Sequence, residues 1–185
     1  MAPEGLDDPS SVVHHQVMQP RLHNSVDRSS RAQWVLLAYR LPREPSTPRI
    51  SMWRKLKRLG AAQLLDGLVA LPLDSRNRER LEWLAEEVTD AAGEATIWIG
   101  ELGSAAQERE IAARMSDAVA GEYRAVIEEV GRLRSQPPGR RRRSLARLRR
   151  ELRRIRARDY FPPPERELAV HAVERLAAVP EEAAA

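Results

Sequence analysis

Hydrophobic residues along the chain fall into short runs that predict alternating strands and helices. Residues 34–39 are apolar on both faces, as in a buried central strand. Two prolines then predict a loop over residues 43–48. Apolar residues at helical spacing follow, with Ile50 and Trp53 among them, and Gly60 is well placed to end this amphipathic helix. We therefore expect Ile50 and Trp53 on the buried face of that helix.

The next residues carry the signals of a hairpin, a second helix and a last strand. Asp66-Gly67 separates two apolar runs, which is the strongest short-range hairpin signal. Residues 80–92 have the period of a helix, and residues 95–99 form another apolar strand. This order predicts a ferredoxin-like βαββαβ domain over residues 32–103, with both helices on one face of a four-stranded sheet.

The rest of the chain has helical periodicity only, which predicts a helical C-terminal extension over residues 104–179. Its first helix ends before Pro137-Pro138-Gly139. The second is expected from about residue 144 to residue 158, on the apolar stripe Leu145, Leu148, Leu152 and Ile155. Residues 140–143 would then lie in a loop before it. The last helix, over residues 165–179, has the stripe Leu168, Val170, Val173 and Leu176.

The two ends of the chain lack a sustained apolar period. Residues 1–31 predict a flexible tail that folding does not require, and residues 180–185 predict a disordered C-terminus. No stretch approaches the roughly 18 apolar residues of a membrane span, and the first thirty residues lack the apolar core of a secretory signal. We expect a cytoplasmic protein that makes no membrane contact.

Composition adds an uneven distribution of charge. The 185 residues carry a net charge of +4 and contain no cysteine, which excludes disulfides, thiolate metal sites and cysteine nucleophiles. Between residues 140 and 158 there are eleven arginines and one glutamate, a charge of +10, so the remainder of the chain sums to −6. This asymmetry predicts a surface that faces a polyanion.

A nucleic acid or another polyanion fits this segment, because arginine pairs bidentately with phosphate. The candidate nucleic-acid contacts are Arg140, Arg141, Arg142, Arg143, Arg147, Arg150, Arg154 and Arg158. By contrast, Arg149, Arg153 and Arg156 are expected to flank the apolar stripe and to pack in part. The alternative is a solvated helix whose arginines pair with acids elsewhere, such as Glu128 or Glu129.

A second basic cluster lies at the end of the first strand and the start of the first helix. Its members Arg40, Arg43, Arg49 and Arg54 are a candidate site for an oxyanion such as chromate or sulfate, since a helix N-terminus favours anions. The alternative is a solvated helix face with structural pairing to Glu44.

The sequence predicts no catalytic site, metal or cofactor. A metal-dependent nuclease of this fold would need a carboxylate near the end of the first strand, where Tyr39-Arg40 stands. The four histidines form no metal-binding pattern, and the glycines form no phosphate-binding loop. All four tryptophans fall on apolar stripes and are expected in the core rather than on a base-stacking surface: Trp34, Trp53, Trp83 and Trp98.

Several of these segments resemble a known family. Residues 34–46, from Trp-Val-Leu-Leu-Ala-Tyr to Arg-Glu-Pro-Ser, and residues 53–61, Trp-Arg-Lys-Leu-Lys-Arg-Leu-Gly-Ala, are similar to the N-terminal domain of the ChrB-type chromate-resistance regulators. Later segments continue the resemblance to about residue 178, including Glu82-Trp83 and Asp159-Tyr160. The longer members of that family carry a second domain that nothing here resembles.

The resemblance implies a transcriptional regulator of chromate resistance that binds DNA and responds to chromate. It also implies a fold similar to the middle domain of PaaX-type repressors and, more distantly, to the small CRISPR adaptation nucleases. Two alternatives stay open: a dimerising accessory domain without DNA affinity and, ranked last, an enzyme acting on nucleic acid. The sequence leaves the oligomeric state open, with a homodimer among the alternatives.

Overall fold

The computed structural model describes residues 32–178. Along the chain its helices and strands are β1 (Gln33–Arg40), α1 (Thr47–Leu59), β2 (Ala62–Leu65), β3 (Leu68–Pro72), α2 (Ser75–Asp90), β4 (Glu94–Glu101), α3 (Ala105–Leu133), α4 (Pro138–Arg156) and α5 (Glu165–Ala177). The predictions made for residues 1–31 and 180–185 lie outside the described part. Among the described helices, none combines the length and the apolar character that crossing a membrane requires.

The strands form one antiparallel sheet in the order β2-β3-β1-β4. The apolar β1 is central, and its Trp34, Val35 and Leu37 are fully buried. The hairpin predicted at Asp66-Gly67 joins β2 to β3, with Gly67 at φ 76°, a conformation that glycine adopts without strain. The prediction of a mixed α+β fold on a four-stranded sheet is confirmed.

Two hydrophobic cores lie under these elements. The first is built on the sheet, where α1 contributes Met52 and Leu56 and α2 contributes Leu81, Leu84 and Val88. The second lies between the three C-terminal helices, and its buried members are Val119, Tyr123, Val126, Val130, Leu133, Leu148, Leu152, Ile155, Ala169, Ala172, Val173 and Leu176.

Residues 158–161, directly after α4, contact both cores. The Asp159 carboxylate accepts a hydrogen bond from the Tyr123 hydroxyl at 2.8 Å, inside the helical half. One residue later, the Tyr160 hydroxyl lies 3.0 Å from the carbonyl oxygen of Leu59 at the end of α1. The ring of Phe161 stacks on that of Trp34, with 6.0 Å between centroids. This segment therefore fastens the helical extension to the sheet.

Three of the four tryptophans are exposed, so the expectation that all of them are core residues is wrong. Trp34 is buried, but Trp53, Trp83 and Trp98 are 53%, 60% and 62% exposed. Trp98 lies on the edge strand β4, and the inward faces of α1 and α2 are taken by other residues. Ile50, 47% exposed, shares this outward position on α1 because Met52 and Leu56 occupy the inward face.

The predicted start of α2 and the predicted buried stripe of α5 also differ from the structure. α2 begins at Ser75 rather than residue 80, because the Asp74 carboxylate accepts a hydrogen bond from the Asn77 backbone N–H at 2.6 Å and caps the helix. In α5 the predicted stripe is shifted, since Leu168 is 58% exposed and alanines take part of the buried face.

Candidate nucleic-acid interface

The Arg-rich segment forms one continuous helix. α4 begins at Pro138, and a proline suits the first turn of a helix, where its missing N–H would have had no partner. Its 19 residues include ten arginines, against the single acidic residue Glu151 within α4. Leu148, Leu152 and Ile155 are buried among residues of α3 and α5. The helix is therefore fixed by packing on one side and basic around the rest of its surface.

Residues 140–143 belong to the first turns of α4, so the expectation of a loop before the helix is wrong. Arg141 is only 7% exposed, because it lies seven residues before Leu148 and hence on the buried side. Its burial removes Arg141 from the side chains that can reach a phosphate. The other three arginines of this run are exposed.

One flank of α4 carries arginines that already have acidic partners. Arg147 Nη2 lies 2.5 Å from Oε1 of Glu129 on α3, and Arg154 Nη2 lies 2.5 Å from Oε1 of Glu151. Desolvation raises the pKa of Glu129, but the hydrogen bonds and positive charges of Arg132 and Arg147 together outweigh it and hold that pKa below its ordinary value. On this flank the alternative of acid-paired arginines is the one that the contacts support.

The two ends of the paired flank are also engaged. Arg140 Nη1 donates to the amide oxygen of Gln136 at 3.2 Å. Arg158, just after the helix, pairs with the Glu122 carboxylate of α3, and its side chain is only 11% exposed. Arg158, one of the candidate nucleic-acid contacts, is therefore largely withdrawn from solvent.

The outermost side of α4 and the flank opposite the paired arginines form the surface that we call the open basic face. Within residues 32–178, four exposed arginines of this face make no hydrogen bond and no ion pair: Arg143, Arg149, Arg150 and Arg153. At about 100° per residue they span an arc of about 120°, on the side turned away from Leu148 and Leu152. Four guanidinium groups are thus presented to solvent from a packed helix.

Sequence reasoning found half of this face. Arg143 and Arg150 were in the predicted set, whereas Arg149 and Arg153 were expected to pack beside the apolar stripe. The signal that could have separated the flanks is Glu151, because residues three and four positions from an acid share its side of a helix. Arg147 and Arg154 stand at those positions.

A groove of about 1300 Å³ lies between α1 on one side and α3 and α4 on the other. Trp53 and Ile50 supply its apolar surface from α1, and Ala118 supplies it from α3. Its charged lining consists of Arg54, Lys57, Arg58, Glu122, Arg154 and Arg158. The paired flank of α4 therefore faces this groove.

The four arginines proposed for an oxyanion site divide into two pairs. Arg40 and Arg43 line a pocket of about 330 Å³, where Arg40 Nη2 already lies 2.8 Å from Glu94 Oε1. Arg49 and Arg54 line a different, shallow pocket of about 430 Å³ at the start of α1. Arg40 and Arg43 therefore line a different pocket from Arg49 and Arg54.

No cluster of three or more metal-binding side chains occurs within residues 32–178.

Comparison with known proteins identifies part of the chain. Residues 49–136 match the family described as "Protein ChrB, N-terminal". Over 106 residues the chain is 35% identical to Protein ChrB of Cupriavidus metallidurans. Residues 49–136 are therefore similar to a ChrB-type N-terminal domain. The resemblance stated from the sequence is thereby confirmed.

The ChrB match has definite limits along both chains. The identity to the Cupriavidus protein covers 57% of this chain but only 29% of that relative. The family match runs from α1 to just beyond α3 and ends at residue 136, before α4 begins. No solved structure matches the chain. The role of the Arg-rich helix must therefore be argued from its own geometry rather than from the ChrB match.

Proposed function

We propose that this chain is a non-catalytic regulator of chromate resistance that binds DNA through the open basic face of α4. The observation that carries the proposal is that four exposed arginines without partners among the described residues stand on one side of a single packed helix. The ChrB-type domain supports the link to chromate resistance, as the sequence resemblance does.

The chemistry of the open basic face suits a phosphate backbone. Guanidinium groups bind phosphate bidentately, and an arginine with no acidic partner loses no ion pair on binding. Because α4 packs against both α3 and α5, its arginines project from a rigid support. Such contacts position a protein on DNA without reading sequence, so we expect binding to duplexes of any sequence and a strong dependence on salt.

We also propose that the sheet domain is ferredoxin-like. The succession β1-α1-β2-β3-α2-β4, the strand order and the shared core of α1 and α2 support this assignment. In this arrangement the proposed DNA-binding surface lies on the helical extension, which is added to the ferredoxin-like sheet domain. An experimental structure with a different strand order would contradict it.

The test compares two variants that remove the same charge. The first changes the open basic face, Arg143, Arg149, Arg150 and Arg153, to Ala. The control changes four arginines on or beside the paired flank, Arg132, Arg140, Arg147 and Arg154, to Ala. Alanine is the strongest helix former, so neither change should unfold α4. Binding to the upstream region of a chromate-resistance operon and to an unrelated duplex is measured by fluorescence anisotropy across a range of salt concentrations.

We expect the first variant to lose most of its affinity and the salt slope to fall by about one for each lost phosphate contact, hence by as much as about four. The control should change that slope by less than about one, since its arginines are engaged within the protein. Equal slopes for the wild type and the first variant would show that α4 does not contact DNA. The alternative, a dimerising accessory domain without DNA affinity, would then replace our proposal. Repeating the titration with chromate, and with sulfate as the matched oxyanion, tests whether DNA binding responds to chromate.

A further inference from the structure

The outer surface of α1 is both apolar and basic. Ile50 and Trp53 are 47% and 53% exposed, and Arg54 and Lys57 are exposed on the same side of the helix. The Lys57 ammonium lies 5.0 Å from the centroid of the Trp53 ring, within the range of a cation–π contact. α1 contains no acidic residue, so nothing on the helix itself offsets these charges. Large exposed apolar side chains surrounded by positive charges are typical of a surface that binds an acidic partner.

The outer surface of α2 is acidic over its last three turns. Glu79, Trp83, Glu86 and Asp90 follow one another at spacings of four, three and four residues, which places them in one stripe. This stripe is turned away from the buried Leu84, and its Trp83 is 60% exposed. α2 therefore presents an exposed aromatic ring among carboxylates, the counterpart of the tryptophan among cations on α1.

α1 and α2 lie together over the sheet. Both contribute to the same hydrophobic core, and an ion pair between Lys55 and Glu87 joins them directly. Their outer sides therefore form one surface with a basic half and an acidic half. A two-fold rotation brings the basic half of such a surface over the acidic half of a second copy, so the surface is complementary to itself.

We propose that two copies of this chain pack face to face through the outer sides of α1 and α2. In the dimer, the α1 stripe of Ile50, Arg54 and Lys57 contacts the acidic stripe of α2 in the second copy, and the reverse contact forms at the same time. The contact is isologous and closes after two copies, so it does not extend into a fibre. The proposal goes beyond DNA binding and does not depend on it, because the open basic face lies on another helix.

The size of this surface sets the strength we expect. At 1.5 Å per residue α1 is about 20 Å long and α2 about 24 Å, and helices packed side by side lie about 10 Å apart. The shared face is therefore about 20 Å by 20 Å, or about 400 Å² per copy and about 800 Å² in total before side-chain relief, which is below the roughly 1,200–2,000 Å² of stable specific interfaces. We expect a weak, concentration-dependent dimer that dissociates further as salt rises.

Charge reversal on each half provides the test. One variant carries R54E and K57E, so that both halves of its surface are acidic. The other carries E86K and D90K, so that both halves are basic. The control, R109E with R134E, makes the same charge change as the first variant at exposed positions of α3 and at its C-terminal end. Circular dichroism of each variant verifies that it is folded, and sedimentation velocity across the micromolar range measures self-association.

We expect each surface variant alone to be at least about tenfold weaker in self-association than the wild type, because like charges then face each other. An equimolar mixture of the two should recover a dimer, since both contacts of the mixed pair again join opposite charges. The control should behave as the wild type. A wild type that stays monomeric at every concentration would overturn the proposal, as would variants that still self-associate or a mixture that stays monomeric.

Discussion

A buried carboxylate in the second core offers a direct test of what anchors residues 158–161 in the helical half. The Asp159 side chain is fully buried, and its Oδ2 accepts the Tyr123 hydroxyl at 2.8 Å. Its ion-pair partner, Arg166 Nη1, is at the longer distance of 3.6 Å, and Oδ1 has no hydrogen-bond partner among the described residues. Burial raises the pKa of Tyr123, and the hydrogen bond to Asp159 raises it further, so the hydroxyl stays protonated as the donor. We predict that Tyr123→Phe markedly destabilises the fold.

The magnitude follows from the loss of that single donor. Phenylalanine fills the same volume, so no cavity opens and the hydrophobic contribution is kept. A hydrogen bond to a charged group is worth about 1.5–3 kcal/mol, and removing it leaves a buried carboxylate with one long ion pair. We therefore expect a loss of about 2–3 kcal/mol in the free energy of unfolding. With an m-value of about 2 kcal/mol/M, the midpoint of urea unfolding should fall by about 1–1.5 M.

Urea unfolding followed by circular dichroism measures this directly, with Tyr39→Phe as the matched control. The Tyr39 side chain makes no hydrogen bond within residues 32–178, so its variant should stay within about 0.5 kcal/mol of the wild type. If Tyr123→Phe also stays within that margin, the contact between Tyr123 and Asp159 does not stabilise the fold, and the role given to residues 158–161 is wrong.

Two further outcomes check other parts of the structure. Gly60→Ala should lower the free energy of unfolding by about 1–3 kcal/mol, because Gly60 has φ 72° and an added Cβ would lie 2.9 Å from Cβ of Arg158. Its control is Gly121→Ala, in the interior of α3 with open space around it. This control should stabilise the protein by about 0.5–1 kcal/mol in the same urea assay. Incubation with single- and double-stranded DNA or RNA and Mg²⁺ or Mn²⁺ should give no cleavage, because Tyr39-Arg40 stands where a metal-binding carboxylate would be needed. Cleavage that EDTA abolishes and that survives repurification would contradict the second outcome.

Local signals in the sequence determined the sheet half and the existence of the basic helix. Asp66-Gly67 predicts its hairpin because only a few residue types tolerate the backbone conformation of a tight turn, and Gly60 ends α1 in the left-handed conformation for the same reason. The eleven arginines within residues 140–158 located the basic region, because the net charge of a segment follows from its residues and does not depend on the fold. The ChrB resemblance also rested on residues close together in sequence.

Tertiary packing decided which side chains of those elements are available. Arg147 and Arg158 are paired because Glu129 and Glu122, 18 and 36 residues away, are brought beside α4 by the packing of α3. Periodicity defines the faces of a helix but not what stands opposite each face, so the spacing of apolar residues could not show which arginines the acids of α3 engage. Trp98 is exposed for a related reason: Ile97 of β4 packs against the first core, so Trp98 projects from the opposite face of the strand, and the pattern of a single strand does not encode which face is covered.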